Sequence, residues 1–276
     1  LVNRSRALLS IAKSIGLNVG VTMVPNQGYN ADGKGDSPFP FTPFPDPLHV
    51  RGHFGALTCA FKGEEYLLGI RRQKMALYRD VGLDFMMFWP YDEGGCGCKD
   101  DWPWGGKGYP RLASKMQRMA SDMYPGIWSV VSTWLFDKPV VDSSEYAGLD
   151  AFIKAEKAAE NATFSFAMVD DHGALHNGHT IACMNVCTCL SLLLEFAGDF
   201  PRWPLEQGNG TVGGLPLVNF PEISMFGRNP WSGWGANPLP SRFEGLWTQT
   251  EGKVVGGMPY SEGIYEDMNA VIAYSH

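Results

Sequence analysis

Residues 81 to 95 read VGLDFMMFWPYDEGG, a short apolar run that gives way to a proline, a pair of carboxylates and glycines. The run does not alternate between apolar and polar residues. Both faces of the strand it predicts must therefore be covered, as in a parallel sheet flanked by helices. Asp92 and Glu93 then fall where that strand empties into a loop. In front of it, EEYLLGIRRQKMALYRDVG, residues 64 to 82, carries apolar residues at helical intervals and ends on glycine, so the local unit is helix then strand.

The same unit recurs along the chain. VNRSRALLSIAKSIGL, 2 to 17, has helical spacing and leads into the valine-rich strand LNVGVTMVPNQ, 17 to 27, which finishes on Asn26 and Gln27. YPRLASKMQRMASDMYPG, 109 to 126, predicts a helix before the strand IWSVVSTWLFD, 127 to 137. SEYAGLDAFIKAEKAAENA, 144 to 162, does the same before TFSFAMVDDHG, 163 to 173. Two further strands are predicted within 213 to 227 and 252 to 269. Six continuous apolar strands alternating with amphipathic helices imply an α/β fold with a parallel sheet. A closed (β/α)8 TIM-type barrel would bury all of them, its first two strands preceding residue 1. No glycine-rich dinucleotide fingerprint follows any strand, which weighs against an open doubly wound sheet.

One stretch interrupts the alternation. ALHNGHTIACMNVCTCLSLLLEFA, 174 to 197, reads as an insertion within a single domain spanning 1 to 276, because DDHG joins naturally to GDFPRWPLE without it. It is apolar enough to approach a membrane span, but Asn185 and Glu195 stand against that reading. Its histidines and cysteines, with His172, could ligate zinc, yet their spacing matches no catalytic zinc signature, so no metal and no cofactor is expected.

With 276 residues and 45% hydrophobic content the chain can bury one large core. A net charge of −7 without any block of lysine and arginine argues against nucleic acid or an anionic membrane as partner. A neutral, hydroxyl-rich ligand suits it better. The six cysteines fall as Cys59, the Cys96/Cys98 pair and the Cys183, Cys187 and Cys189 group, without the paired spacing of a structural zinc site, and they imply no disulfide framework. Asn3, Asn161 and Asn209 each begin an Asn-x-Ser/Thr acceptor pattern, so a secreted or periplasmic location stays open along with any other, and the oligomeric state is not legible.

In a parallel barrel the residues that meet substrate come from the carboxyl ends of the strands and the loops behind them. Glu93, Glu222, Asp92 and Glu262 are the candidate catalytic carboxylates at those ends. Cleavage of a glycosidic bond needs one protonated carboxyl to donate to the leaving oxygen and one carboxylate to attack the sugar or activate water. Asn26, Gln27, Asp171 and His172 can bind hydroxyls, and Trp89, Tyr91, Trp104, Trp231, Trp234 and Tyr260 offer ring faces to a pyranose. Competing readings of these residues are loop amide binding by Asp92 and Glu93, pairing of Glu222 with an arginine such as Arg228, and helix capping by Glu262. Glu93 as acid/base with Glu222 as nucleophile is the leading assignment. Three others stay open: substrate-assisted cleavage by Asp92 and Glu93, a noncatalytic carbohydrate-binding barrel, and a metal-dependent hydrolase.

WPYDEGGCGC with PWGGKGY, DDHG with GDFPRWPLE, LPLVNFPEISMFGRNPWSGWGANPLP and GGMPYSEGIYEDMN together resemble glycoside-hydrolase-like (β/α)8-barrel proteins, loosely similar to the family 20 N-acetylhexosaminidases. That resemblance implies a barrel and a carbohydrate substrate, with Glu93 as acid and Asp92 orienting an acetamido group. Such relatives often carry a third cysteine soon after the Cys-x-Cys pair, where this chain has Asp101.

Overall fold

The computed structural model describes residues 2–26, 60–90, 99–134, 136, 144–170, 200–221, 240–257 and 271–272. Helix α1 (Val2–Ser14) leads to strand β1 (Gly20–Met23), α2 (Ala60–Ala76) to β2 (Phe85–Phe88), α3 (Gly108–Met123) to β3 (Trp128–Ser132) and α4 (Glu145–Ala158) to β4 (Phe166–Asp170). Then come a short helix α5 (Arg202–Glu206), a two-residue strand β5 (Thr211–Val212), β6 (Leu215–Phe220), α6 (Pro240–Thr250) and β7 (Val254–Gly257).

The sheet is mostly parallel. β1, β2, β3, β4, β6 and β7 pair in chain order, each parallel to the next, and β5 alone runs antiparallel, folded back on the start of β6. Among the described residues the order never reverses, so the switch point of a doubly wound sheet is absent from this run of strands. All six predicted strands are present, with shorter hydrogen-bonded cores than the apolar runs suggest. α5, β5 and α6 are elements that the periodicity reading does not contain, and β5 has only two residues in which to show a period.

The strands are apolar throughout because both sheet faces are covered. On the helix side, Met86, Phe88, Val131, Ala167, Val169 and Leu217 belong to the main core. It is filled from α3 by Tyr109, Leu112, Ala113, Met116 and Ala120, a stripe at helical spacing with no exposed member. The other face carries Met87, Val130 and Met168 in a second cluster, with Phe85, Trp128 and Phe166 partly buried one step nearer the strand starts. Phe85 stacks on Trp128 at 4.8 Å, and Trp128 meets Phe166 edge-on at 5.5 Å.

Asp84 fastens α1 and β1 to β2. Its carboxylate accepts from the Val19 N–H and from Lys13 Nζ, both at 2.9 Å. Partial burial opposes ionisation, but these two donors outweigh it and hold the Asp84 pKa below the ordinary carboxylate range. A depressed folded-state pKa contributes stability that is present above the unfolded pKa and lost as pH falls through the folded one. Asp84→Asn should cost about 1 kcal/mol at pH 7 through the lost hydrogen bonds, and urea titrations should show that difference shrinking as pH falls below the ordinary carboxylate range.

Candidate functional site

The carboxyl ends of β2, β3 and β6 each deliver an aromatic ring to one place. Trp89 follows β2 directly, Trp134 comes two residues after β3, and Phe220 closes β6. Trp89 lies 5.1 Å from Trp134 and 4.9 Å from Phe220, and Trp134 lies 5.9 Å from Phe220, centroid to centroid. Both contacts to Phe220 are edge-on, as the ring quadrupole favours. None of the three rings is more than 8% exposed. Their faces are spent on one another, so Trp89 does not present the open platform expected for a pyranose. What it retains is its indole N–H, which is buried and has no acceptor among the described residues. A donor left in that state costs free energy unless something polar supplies the acceptor.

Buried hydroxyls fix the strand ends that bear these rings. The Tyr109 hydroxyl, fully enclosed, shares its proton between the Phe88 carbonyl at 2.7 Å and the Ser132 carbonyl at 2.9 Å, one on β2 and one on β3. Burial drives the phenol pKa well up, outweighing the Ser132 contact, so Tyr109 stays protonated and remains a donor. Thr133 repeats the arrangement between β3 and β4, donating to the Met168 carbonyl at 3.0 Å while its own N–H reaches the same oxygen at 2.8 Å. Tyr109→Phe should lower stability by about 1.5 kcal/mol in urea denaturation, because two buried carbonyls lose their shared donor while the ring volume is kept.

Asn26, three residues beyond β1, is 3% exposed, so it occupies an enclosed position at the same end of the sheet. Near it lies a cation that the sequence analysis does not single out. Arg71 is also 3% exposed and donates from Nη2 to the Val24 carbonyl at 2.6 Å, at the exit of β1. Burial lowers its pKa to about 10, which still leaves it charged at neutral pH. The signal was available: Leu67, Arg71 and Met75 are spaced i, i+4, i+8, and all three are buried, so this arginine stands in the apolar stripe of α2. Register also sets Asp170, the last residue of β4, opposite Phe220.

Trp104 is placed elsewhere. It is 1% exposed on the helix side of the sheet, 6.4 Å from Tyr109, and belongs to the main core with Phe136. A role for its ring in holding a sugar does not fit that location. The glycines around it serve close packing, since a Cβ on Gly106 would come within 2.8 Å of the Gly148 Cα and one on Gly148 within 2.6 Å of the Gly106 Cα. Glu145 secures the same turn by accepting from the Gly105 N–H at 2.9 Å. Asp101 is wholly buried and pairs with Arg111 at 2.7 Å. Its work in this chain is to anchor the start of α3.

Asp92, Glu93, Glu222, Glu262, Gln27, Tyr91, Asp171, His172, Trp231, Trp234 and Tyr260 lie outside the described residues, as do all six cysteines and the stretch 174 to 197. Among the described residues no three histidine, cysteine, aspartate or glutamate side chains gather as a metal site requires, and no helix is long and apolar enough to cross a membrane.

No family model and no curated protein matches the chain. Among solved structures, the octameric ribulose-1,5-bisphosphate carboxylase/oxygenase of Pyrococcus horikoshii OT3 is similar over 99% of this chain and 53% of its own, with 9% identity and a TM-score of 0.33. The chain thus spans about half the length of that protein. At so low a score the likeness carries neither a fold nor an activity across.

Proposed function

We propose that the parallel strands form part of a (β/α)8 barrel and that the chain is a glycoside hydrolase acting through carboxylates at the carboxyl ends of those strands. The consecutive, unreversed strand order supports the barrel, as do the two apolar sheet faces, one toward the helices and one stacked in successive layers. The single observation that carries the enzymatic reading is the 4.9 Å contact between Trp89 and Phe220. Glu93 follows Trp89 by four residues and Glu222 follows Phe220 by two. β3 and β4 lie between β2 and β6 in the sheet, so the ring contact brings the ends of two non-adjacent strands into one cluster.

In this reading Glu93 donates a proton to the glycosidic oxygen while Glu222 attacks the anomeric carbon. Glu93, now ionised, then takes the proton of the water that releases the sugar. The buried Trp89 N–H supplies a directed donor for an acceptor on the ligand, and Asn26 adds a polar group at the same end of the sheet.

The test is hydrolysis of a panel of aryl glycosides, N-acetylhexosaminides included, by the purified chain. Turnover of at least one member is the expected result. Binding of a sugar with no turnover of any would replace the enzyme with a carbohydrate-binding barrel. Activity that a chelator removes and zinc restores would replace it with a metal-dependent hydrolase.

A further inference from the structure

Residues 208 to 211, Gly-Asn-Gly-Thr, form a turn closed by the Thr211 N–H on the Gly208 carbonyl at 3.0 Å. Its two central residues are both left-handed, Asn209 with φ 49° and Gly210 with φ 75°, the pattern of a type I′ turn. Asn209 is exposed, whereas Gly210 is buried and donates its N–H to the Pro204 carbonyl at 2.9 Å. The turn hands the chain from α5 to β5, where Val212 is wholly buried and pairs with Leu215 of β6. Just beyond, the Gly213 N–H reaches Asp150 at 2.7 Å and the Gly213 carbonyl accepts from Lys157 at 2.9 Å, which ties the hairpin to α4. An asparagine followed by glycine also has a chemical property of its own. Glycine carries no Cβ to screen its backbone nitrogen, so that nitrogen can close on the preceding side-chain amide.

We infer that Asn209 is a site of spontaneous conversion to isoaspartate, held inert by the native turn and released when the α5–β5 segment opens. The Gly210 nitrogen attacks the carbonyl carbon of the Asn209 side chain. A C–N bond forms, the bond to the side-chain nitrogen breaks, and ammonia leaves with the proton that Gly210 gives up. Water then opens the five-membered imide at one of its two carbonyls. Opening at the backbone carbonyl yields isoaspartate, and opening at the other yields aspartate. Water is the sole co-reactant and nothing is oxidised or reduced. In the folded chain both requirements of the attack are blocked. The Gly210 N–H is committed to Pro204, and the Thr211–Gly208 bond fixes the torsions that would have to rotate. The turn is tightly drawn, since a Cβ on Gly208 would come within 2.1 Å of the Thr211 carbonyl oxygen.

α5 is five residues long, and Pro204 is its one fully buried member, so little beyond the stack of Trp203 on Tyr146 at 5.8 Å resists local opening once the turn lets go. Isoaspartate routes the chain through the β-carbon and so adds a backbone atom between residues 209 and 210. The lengthened chain cannot restore both the Thr211–Gly208 and the Gly210–Pro204 bonds, which makes the opening that permitted the reaction hard to reverse. Conversion acts as a latch. Thr211 lies opposite Pro216, near the start of β6, whereas Phe220 closes that strand, so the latch is remote from the ring cluster and independent of the glycoside-hydrolase reading.

Peptide mapping of the full 276-residue chain, incubated in mildly alkaline buffer with and without urea, tests this. Asn177 precedes the other Asn-Gly pair of the sequence and serves as the reference for the intrinsic reaction in urea. Asn209 should convert as fast as Asn177 in urea and at least about tenfold more slowly in the folded chain. Equal rates for Asn209 with and without urea overturn the inference, as does an Asn209 that stays intact in urea while Asn177 converts. A brief pulse of protease on aged folded chain tests the latch. Isoaspartate at position 209 should be enriched at least about tenfold among the molecules cleaved, reflecting the two lost hydrogen bonds. Asn209→Asp carries the same charge on an ordinary backbone and should be cleaved no faster than the unaltered chain. Isoaspartate spread evenly between cleaved and intact molecules overturns the latch. Asn209→Asp cleaved as readily as the isoaspartate form also overturns it, because charge alone then accounts for the opening.

Discussion

Glu222→Gln is expected to reduce kcat on any aryl glycoside the chain hydrolyses by between about a hundredfold and ten-thousandfold, with sugar affinity changed little. The amide keeps the shape and the hydroxyl contacts of the carboxylate but cannot attack an anomeric carbon. Glu93→Gln should fall into the same range for a different reason, since it removes the proposed proton donor. The two are separable by leaving group. A substrate whose aglycone departs without protonation should recover much of the first-step rate in Glu93→Gln and none in Glu222→Gln. Equal loss on every leaving group would remove the division of labour between the two carboxylates. Undiminished turnover in both variants would remove the assignment altogether.

The second large effect concerns stability. Gly148→Ala should lower the folding free energy by about 3 kcal/mol, seen as a Tm lower by about 6 to 10 °C. The added methyl would sit 2.6 Å from the Gly106 backbone, and backbone cannot swing aside as the end of a long side chain can. Either α4 moves off the sheet or the turn at Trp104–Gly106 moves, and Glu145 holds that turn to the start of α4. Gly69→Ala in α2 is the matched control. Its Cβ would meet nothing within 4 Å, so the substitution should be neutral or slightly stabilising through helix propensity.

The regularity of the fold was legible in the sequence because it is local. The Phe85–Phe88 run has no polar interruption, and the α3 stripe repeats at helical spacing, so each announces its element without knowledge of the rest. Contacts between distant residues were not legible. Trp89 and Phe220 are separated by more than a hundred residues, and nothing in either segment says that their rings share one space. The same applies to Trp104, whose place beside prolines and glycines suggests an exposed loop but whose neighbours Gly106 and Gly148 let a helix close over it. The burial of Asp101 was not legible either, because only its partner Arg111, ten residues on, explains a buried carboxylate. Arg71 had a usable signal in its helical phase, but its chemical meaning comes from the Val24 carbonyl on another element.

Every parallel pairing in this sheet joins a strand to the parallel strand before it in the chain, and only the two-residue antiparallel β5 comes between one such pair, β4 and β6. Each step of assembly therefore closes a loop of modest length, and no strand must wait for a distant segment to be synthesised before it finds its neighbour. Such a chain can acquire structure progressively as it leaves the ribosome, adding one helix and one strand at a time to an existing edge.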